Sequence, residues 1–557
     1  MRGWVWVALG LGALLVASCG GTGSANGPAA PRPERATATP ARETPPLPTA
    51  TATPWLAQPP TPAYTPTPTI QHWALDARVP EAVAQTAALT HPGWARTTDP
   101  ATADVLWTWA TQPDQPVVAR WRYVLVAPFF TLDHQVTLAQ VRAFWQGDAT
   151  ALPTAGLRAT PETMAALAAF WGPPSEATVH PTAASEMIPQ TWRTGHWALV
   201  PFDALEPRWK ALAVDGRAPW DADYPLALPL TVVVQNPGVA GPPPGPRGNF
   251  SPDRLTVVAM TGVTALVRAT AYTMELKGLT YPAEDIGDLL ASADITHISN
   301  EVPFDPTCPP PNPSQKGLKF CSDPRYIALL EAVGTDVVEL TGDHFNDRGP
   351  EAVFYTVALY RERGWAYYGG GENLDDARRP ALFEHHGNRL AFVGCNAKGG
   401  GYARAAADYP GAAACDWDFL TAQVRELREQ GYLPIVTFQH HEYYTFDPPE
   451  SMKEDFRRMA EAGAVIVSGS QAHHPHGLAF YRGALLTYGL GNLFFDQKGT
   501  TPYGDQSFIA LHYFYDNRHL STRLVPLRFV DFAKPVRMTD EEARPLWEAV
   551  FAVSQGP

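Results

Sequence analysis

The sequence predicts a mixed α/β protein with two folded parts, the C-terminal one larger, and three observations lead there. From about Leu255 onward, short apolar runs alternate with amphipathic stretches, which is the spacing of βαβ units. Pro- and Gly-rich stretches at 20–71 and 236–252 interrupt the chain where neither a helix nor a strand can continue. A length of 557 residues also exceeds what one ordinary hydrophobic core accommodates.

The elements can be justified in order. Arg2 is followed by an apolar stretch from Trp4 to Val16, too short for a membrane span and typical of an export signal. Val16-Ala17-Ser18-Cys19-Gly20 resembles a bacterial lipobox, which implies a signal peptide at 1–19 and a lipid on the Cys19 thiol. An uncleaved N-terminal anchor is the other reading, and either puts the body outside the cytoplasm, tied to a membrane. Residues 20–71 are Pro, Thr and Ala, as in PTATATPWLAQPPTPAYTPTPT, a composition that gives an extended, disordered stalk.

A first α/β domain is expected over 72–235. Tyr123 to Phe130 reads as a strand, Thr137-Leu138-Ala139-Gln140 as a capping box opening a helix, and Pro161 to Phe170 as an Ala-rich helix. Apolar runs follow at Trp197 to Pro201 and Trp209 to Val214. The order VLVAPFF, TLAQVRAFWQG, HWALVPFDALEPRWKALAVDG, DYPLALPLTV resembles a lobe of the phosphate-type periplasmic solute-binding proteins, without a distinct ligand motif. Solute binding and a mere spacer role both stay open for it.

After the 236–252 linker, a domain over 253–535 is expected, with strands at 255–260, 295–298, 337–340, 390–393, 434–438 and 464–467. Helices at 282–291, 324–333, 351–363, 419–430 and 450–462 intervene. Paired runs near 478–488 and 508–529 close it, so one sheet or two facing sheets covered by helices are predicted. A C-terminal helix is expected within 536–557.

A net charge of −14 and the lack of a basic run exclude nucleic acid as the expected partner. Of five cysteines, the four beyond Cys19 fall into local pairs, Cys308 with Cys321 and Cys395 with Cys415, the arrangement expected of disulfides in an oxidising compartment. Three pairings are formally open, and a thiolate metal site is the competing reading.

The chemistry is concentrated where strands end. Glu301 follows one strand in ISNEVPF; Asp343 and His344 follow the next in ELTGDHFNDRG; His440, His441 and Glu442 follow a third in TFQHHEYY. His474-Pro475-His476 follow a fourth in VSGSQAHHPHG, where Pro475 favours an extended backbone that turns both imidazoles the same way. Imidazole and carboxylate hold divalent transition metals, and α/β sheets gather ligands at the carboxyl ends of their strands.

These segments, with YYGGGENLDDARRP and the closing GLGNLFFDQ (Gly491, Asn492, Asp496), resemble the bacterial CapA family of capsule and poly-gamma-glutamate synthesis. The resemblance covers about Leu255 to Gln497 and implies a calcineurin-like metallophosphatase fold, a four-layer αββα sandwich. It departs from the family at telling places. Gly262-Val263 stands where the family has Gly-Asp, Asp343 where it has a second Asn, His440-His441-Glu442 where it has His-Trp-Gly, and Ser299 where it has the Asn before Glu301. The segment before His-Pro-His carries two extra residues.

The expectation is therefore that Glu301, Asp343, His440, His474 and His476 hold one or two divalent ions (Mn, Zn or Fe). His344 and His440 are the expected catalytic histidines, His344 protonating the leaving group. The substrate class is an anionic surface polymer or a phosphoester. Losing the first carboxylate favours a single ion or a rearranged pair over the two-metal arrangement. Two other functions stay open: a catalytically weakened protein that binds or tethers polymer, and a solute sensor acting through the first domain.

Overall fold

The computed structural model describes residues 70–86, 93–239, 245–399, 401–469, 472–499 and 503–557. The expected signal peptide, Cys19 and nearly all of the expected stalk lie outside them. Residues 68–557 cluster as one compact unit, and among the described residues no helix is long and apolar enough to cross a membrane.

Residues 71–234 build a nine-stranded mixed sheet. The strand expected at 123–130 is part of Ala119–Pro128, which pairs antiparallel with Ala227–Val234, Trp197–Pro201 and Trp209–Ala211. Both bonds of the capping box at Thr137 and Gln140 form, and the helix Leu138–Trp145 turns Val141, Phe144 and Trp145 inward. Its core is rich in indoles: Trp73 stacks on Trp107 at 4.2 Å, and Trp109, Trp121, Trp145, Trp171 and Trp197 are buried with them.

Residues 255–537 carry two larger sheets. The eight-stranded one runs Ala366–Tyr368, Val337–Glu339, Ile295–Asn300, Leu255–Thr264, Gln506–Tyr515, Arg518–Phe529, Pro535–Arg537, with Asn492–Phe494 beside Leu255–Thr264. Its first four strands are parallel. The six-stranded one runs Ala381–His385, Asn388–Asn396, Leu433–Gln439, Ile466–Gly469, Ala484–Thr487, Leu478–Tyr481, with a parallel centre.

Alternation along these strands makes four layers, because successive side chains leave opposite faces. Val258, Met260 and Val337 from one sheet meet Phe392, Ile435, Ile466 and Leu485 from the other in a shared core. The intervening residues face helices: Ala259, Ile298 and Val338 pack with Leu290, Leu330 and Val357, and Val436, Val467 and Leu486 pack with Val424, Phe456 and Met459. The parallel strands of both sheets thus deliver their carboxyl ends to a common rim.

Several expected elements change at their ends. The helix expected at 282–291 is a 3-10 turn at Tyr281–Ala283 and a short helix at Gly287–Ala291. The C-terminal helix is Asp540–Ala552, opened by a second capping box at Thr539 and Glu542. The helix Arg268–Lys277 was not expected; its low amphipathy leaves no periodic signal, and Asp496 anchors it by accepting from the Ala269 N–H at 2.9 Å.

Candidate metal centre at the rim of two sheets

Glu301 stands one residue beyond the strand Ile295–Asn300, and Asp343 and His344 lie in the loop after Val337–Glu339. Gly342 lets these loops touch: a Cβ there would meet the Glu301 carbonyl oxygen at 2.6 Å. Glu301, Asp343 and His344 each offer a ligand atom within 4.8 Å of the others, the one such group of three among the described residues. His344 Nδ1 is bound to Asp347 Oδ2 at 2.7 Å, which fixes the ring and leaves Nε2 facing Asp343 at 3.9 Å. Asp347 also accepts from the Phe320 N–H at 2.7 Å, so it orients His344 and does not cap the next helix.

The Asp343 carboxylate is held by Gln439, whose Nε2 donates to Oδ1 at 2.7 Å. Gln439 Oε1 in turn accepts from Asn396 Nδ2 and from the Asp343 N–H, both at 2.5 Å. Lys398 closes the group. Its ammonium lies 2.9 Å from Asp343 Oδ2 and is paired with Glu442. Burial opposes charge on Lys398, but Asp343 and Glu442 raise its pKa above the ordinary lysine value. Burial likewise opposes charge on Glu442, but His473 and Lys398 hold its pKa down at about 2.

His473, with a positive φ of 51°, reaches Glu301 Oε1 at 3.8 Å and Glu442 Oε1 at 4.0 Å, and its Nδ1 is anchored on Asn492 at 2.8 Å. For His344, burial disfavours the cation, yet the Asp347 hydrogen bond and the carboxylates of Glu301, Asp347 and Asp343 raise the pKa to about 9. Three carboxylates, Glu301, Asp343 and Glu442, therefore face three groups that carry or accept positive charge: Lys398, His344 and His473.

The expected ligands divide. Glu301 and Asp343 come together, joined by His344, which was expected as a proton donor. His440, His474 and His476 stand outside that group. His440 Nε2 faces Asp455 Oδ2 at 3.1 Å on the helix Glu450–Ala462, and its Nδ1 accepts from the His441 N–H at 3.0 Å, so both nitrogens have partners outside the Glu301, Asp343 and His344 group. The His474 and His476 rings lie 5.6 Å apart between centroids, and their Nδ1 atoms engage different carbonyls, those of Pro475 and Thr445. They sit beside Phe446, with His476 Nδ1 on the Thr445 carbonyl at 2.6 Å, and burial lowers the His476 pKa to about 4. Val263, in place of the family's aspartate, is fully buried and donates its N–H to the Gly491 carbonyl at 3.0 Å.

Sequence reasoning missed Lys398, Gln439, Asn396 and His473. Each follows or ends a parallel strand, the signal used for the others, but lysine is not a metal ligand, neutral amides are weaker ones than carboxylate or imidazole, and His473 was passed over beside the His-Pro-His.

Two disulfides flank the rim. Cys308–Cys321 closes the loop carrying Phe320, which packs edge-on against His344 at 4.8 Å. Cys395–Cys415 braces the strand end at Asn396. Both expected pairings form, and such bonds are the chemistry of an oxidising compartment.

A layered α/β fold with a carboxylate and imidazole group at the meeting edge of two sheets defines the class. Residues 257–497 match the family described as bacterial capsule synthesis protein PGA_cap, and this stretch is distantly homologous to that PGA_cap/CapA family. A capsule biosynthesis protein CapA of Bacillus anthracis is 26% identical over 251 residues, 44% of this chain and 60% of that protein. The chain thus spans about 60% of the length of this relative. Among solved structures, a 5′-nucleotidase precursor from Thermus thermophilus is similar at TM-score 0.32 and 15% identity, covering 54% of this chain and 58% of that one. An ABC-type phosphate transport receptor from Vibrio cholerae is similar at TM-score 0.25 and 11% identity, covering 31% of this chain and 90% of that one.

Proposed function

We propose that this protein is an extracytoplasmic, lipid-anchored CapA-type factor of capsule or poly-gamma-glutamate synthesis. Its domain over 253–535 has the calcineurin-like metallophosphatase fold and carries out metal-dependent hydrolysis or transfer on an anionic surface polymer or phosphoester. The domain over 72–235 is a solute-binding-protein-like module. The observation that carries the reading is the Glu301, Asp343 and His344 group, with its imidazole pinned from behind by Asp347.

Two carboxylates and one imidazole with a carboxylate second partner suit one divalent ion such as Mn, Zn or Fe. When bound, such an ion supplies Lewis acidity to a phosphoryl or carbonyl oxygen. Gln439 aims the Asp343 carboxylate, and Lys398 supplies a fixed positive charge for an anionic substrate group. A two-ion site fits less well, because Val263 offers no ligand and Lys398 already neutralises Asp343 and Glu442.

That same ammonium favours a second reading, in which Lys398 serves as the resident cation and the rim binds polymer without turning it over. Metal titration together with turnover of bis-p-nitrophenyl phosphate and of poly-gamma-glutamate separates them. Stoichiometric metal and turnover lost in Glu301→Gln supports the hydrolase; polymer binding with neither supports the second reading.

A further inference from the structure

A cavity lies apart from the rim residues, where the first module meets the last strand pair and the C-terminal helix. It has a volume of about 350 Å³ and is lined by Phe129, Lys210, Trp220, Arg523, Trp547 and Phe551 among others. That volume is in the range of small-molecule sites. Aromatic rings form one part of its wall: Trp547 stacks on Phe551 at 5.2 Å and lies 5.6 Å from the His134 ring, while Trp220 is backed by Tyr513 at 3.5 Å.

Two basic side chains open onto this space without a carboxylate in ion-pair contact. Lys210 donates to the Thr131 carbonyl and sits 5.3 Å from the centre of the Phe551 ring. Among the described residues, neither Lys210 nor Arg523 has a carboxylate within 4.0 Å, although Asp221 and Asp540 line the same space. Asp221 accepts from the Ala218 N–H at 2.8 Å, and Asp540 lies in the first turn of the C-terminal helix. Trp547 also borders the space. It is 2% exposed, and its indole N–H has no hydrogen-bond acceptor. A buried donor without a partner costs stability unless something supplies the acceptor.

We infer that this cavity is a binding site for a small organic anion with a flat apolar body, a carboxylate or a phosphate monoester carried on an aromatic or alkyl group. The anionic head pairs with Lys210 and Arg523, and the body lies among Trp220, Trp547 and Phe551. Burial lowers the Lys210 pKa to about 7 against the pull of Asp133 and Asp540, and an anion beside it would restore the charge. The site is independent of the rim chemistry.

The test uses the full chain, with phenyl phosphate and phenylacetate as probes and benzylamine as the cationic control, followed by calorimetry and intrinsic tryptophan fluorescence. At least one anion is expected to bind one-to-one and to change the fluorescence, with affinity weakened about tenfold in Arg523→Gln. Lys210→Met should do the same, and since Arg523 is exposed its variant keeps the test valid if Lys210→Met fails to fold. Comparing the two probes distinguishes phosphate from carboxylate recognition. No binding of either anion at millimolar concentration, equal binding of benzylamine, or affinity unchanged in Arg523→Gln would overturn the inference.

Discussion

The rim and the inter-module cavity both gather charged side chains, but they settle their charge differently. At the rim, Asp343 and Glu442 share the Lys398 ammonium, His344 leans on Asp347, and His473 lies between Glu301 and Glu442. In the cavity, Lys210 has the Phe551 ring and the Thr131 carbonyl as neighbours, and neither it nor Arg523 has a carboxylate in ion-pair contact. Compensated clusters hold side chains in place before any ligand arrives, which suits positioning; uncompensated ones leave binding free energy for a ligand to supply. One region is thus built to aim groups and the other to receive one.

The contrast can be broken most directly at Glu301. Glu301→Gln should remove stoichiometric metal, read by elemental analysis of the purified protein, while Asp347→Asn should weaken metal affinity by about 10- to 100-fold through the loosened His344 ring. If both variants kept full metal affinity, the rim would not be a metal centre. Next in size, replacing Cys308 and Cys321 by serine should cost about 3 kcal/mol in denaturant unfolding, since the bond closes a short loop beside His344.

Lys398→Met leaves Asp343 and Glu442 facing each other without their cation. A loss of about 2 kcal/mol is expected, less than for a wholly buried pair since Lys398 is partly exposed. Added Mn²⁺ should raise the Tm of this variant more than that of the parent. Equal shifts would mean that lysine and metal do not compete.

The smallest effect is expected at Lys210 and depends on pH. Its folded pKa of about 7 lies below the ordinary lysine value of 10.5, so below pH 7 the parent bears the cost of a buried ammonium. Between these values the unfolded chain binds a proton that the folded one lacks, and stability rises with pH. Lys210→Met should therefore be more stable than the parent below pH 7, by about 1 kcal/mol after solvent screening, with the gap closing toward pH 10. A gap independent of pH would show that the amine is not held in its neutral form.

Much of the layering was legible because alternation in strands such as Val258, Ala259 and Met260 reports both faces of a buried sheet. The parallel order explains why Glu301, Asp343 and His344 could be assigned to one rim. What the sequence did not disclose was orientation. His440 lies one residue past its strand, as expected, but a carboxylate on the neighbouring helix, Asp455, captures its ring. His473 reaches the rim through a positive φ, and no local pattern distinguishes it from His474. Lys398 follows a strand like the others, yet its role arises from the charge it meets and not from its residue type.

The brace at Cys395–Cys415 stands at the head of a relay into the rim. Cys395 precedes Asn396, Asn396 holds Gln439, and Gln439 holds Asp343. Asn396 and Gln439 are also partners in the parallel strand register, so sheet pairing alone sets that relay, and the disulfide rivets an edge already in place.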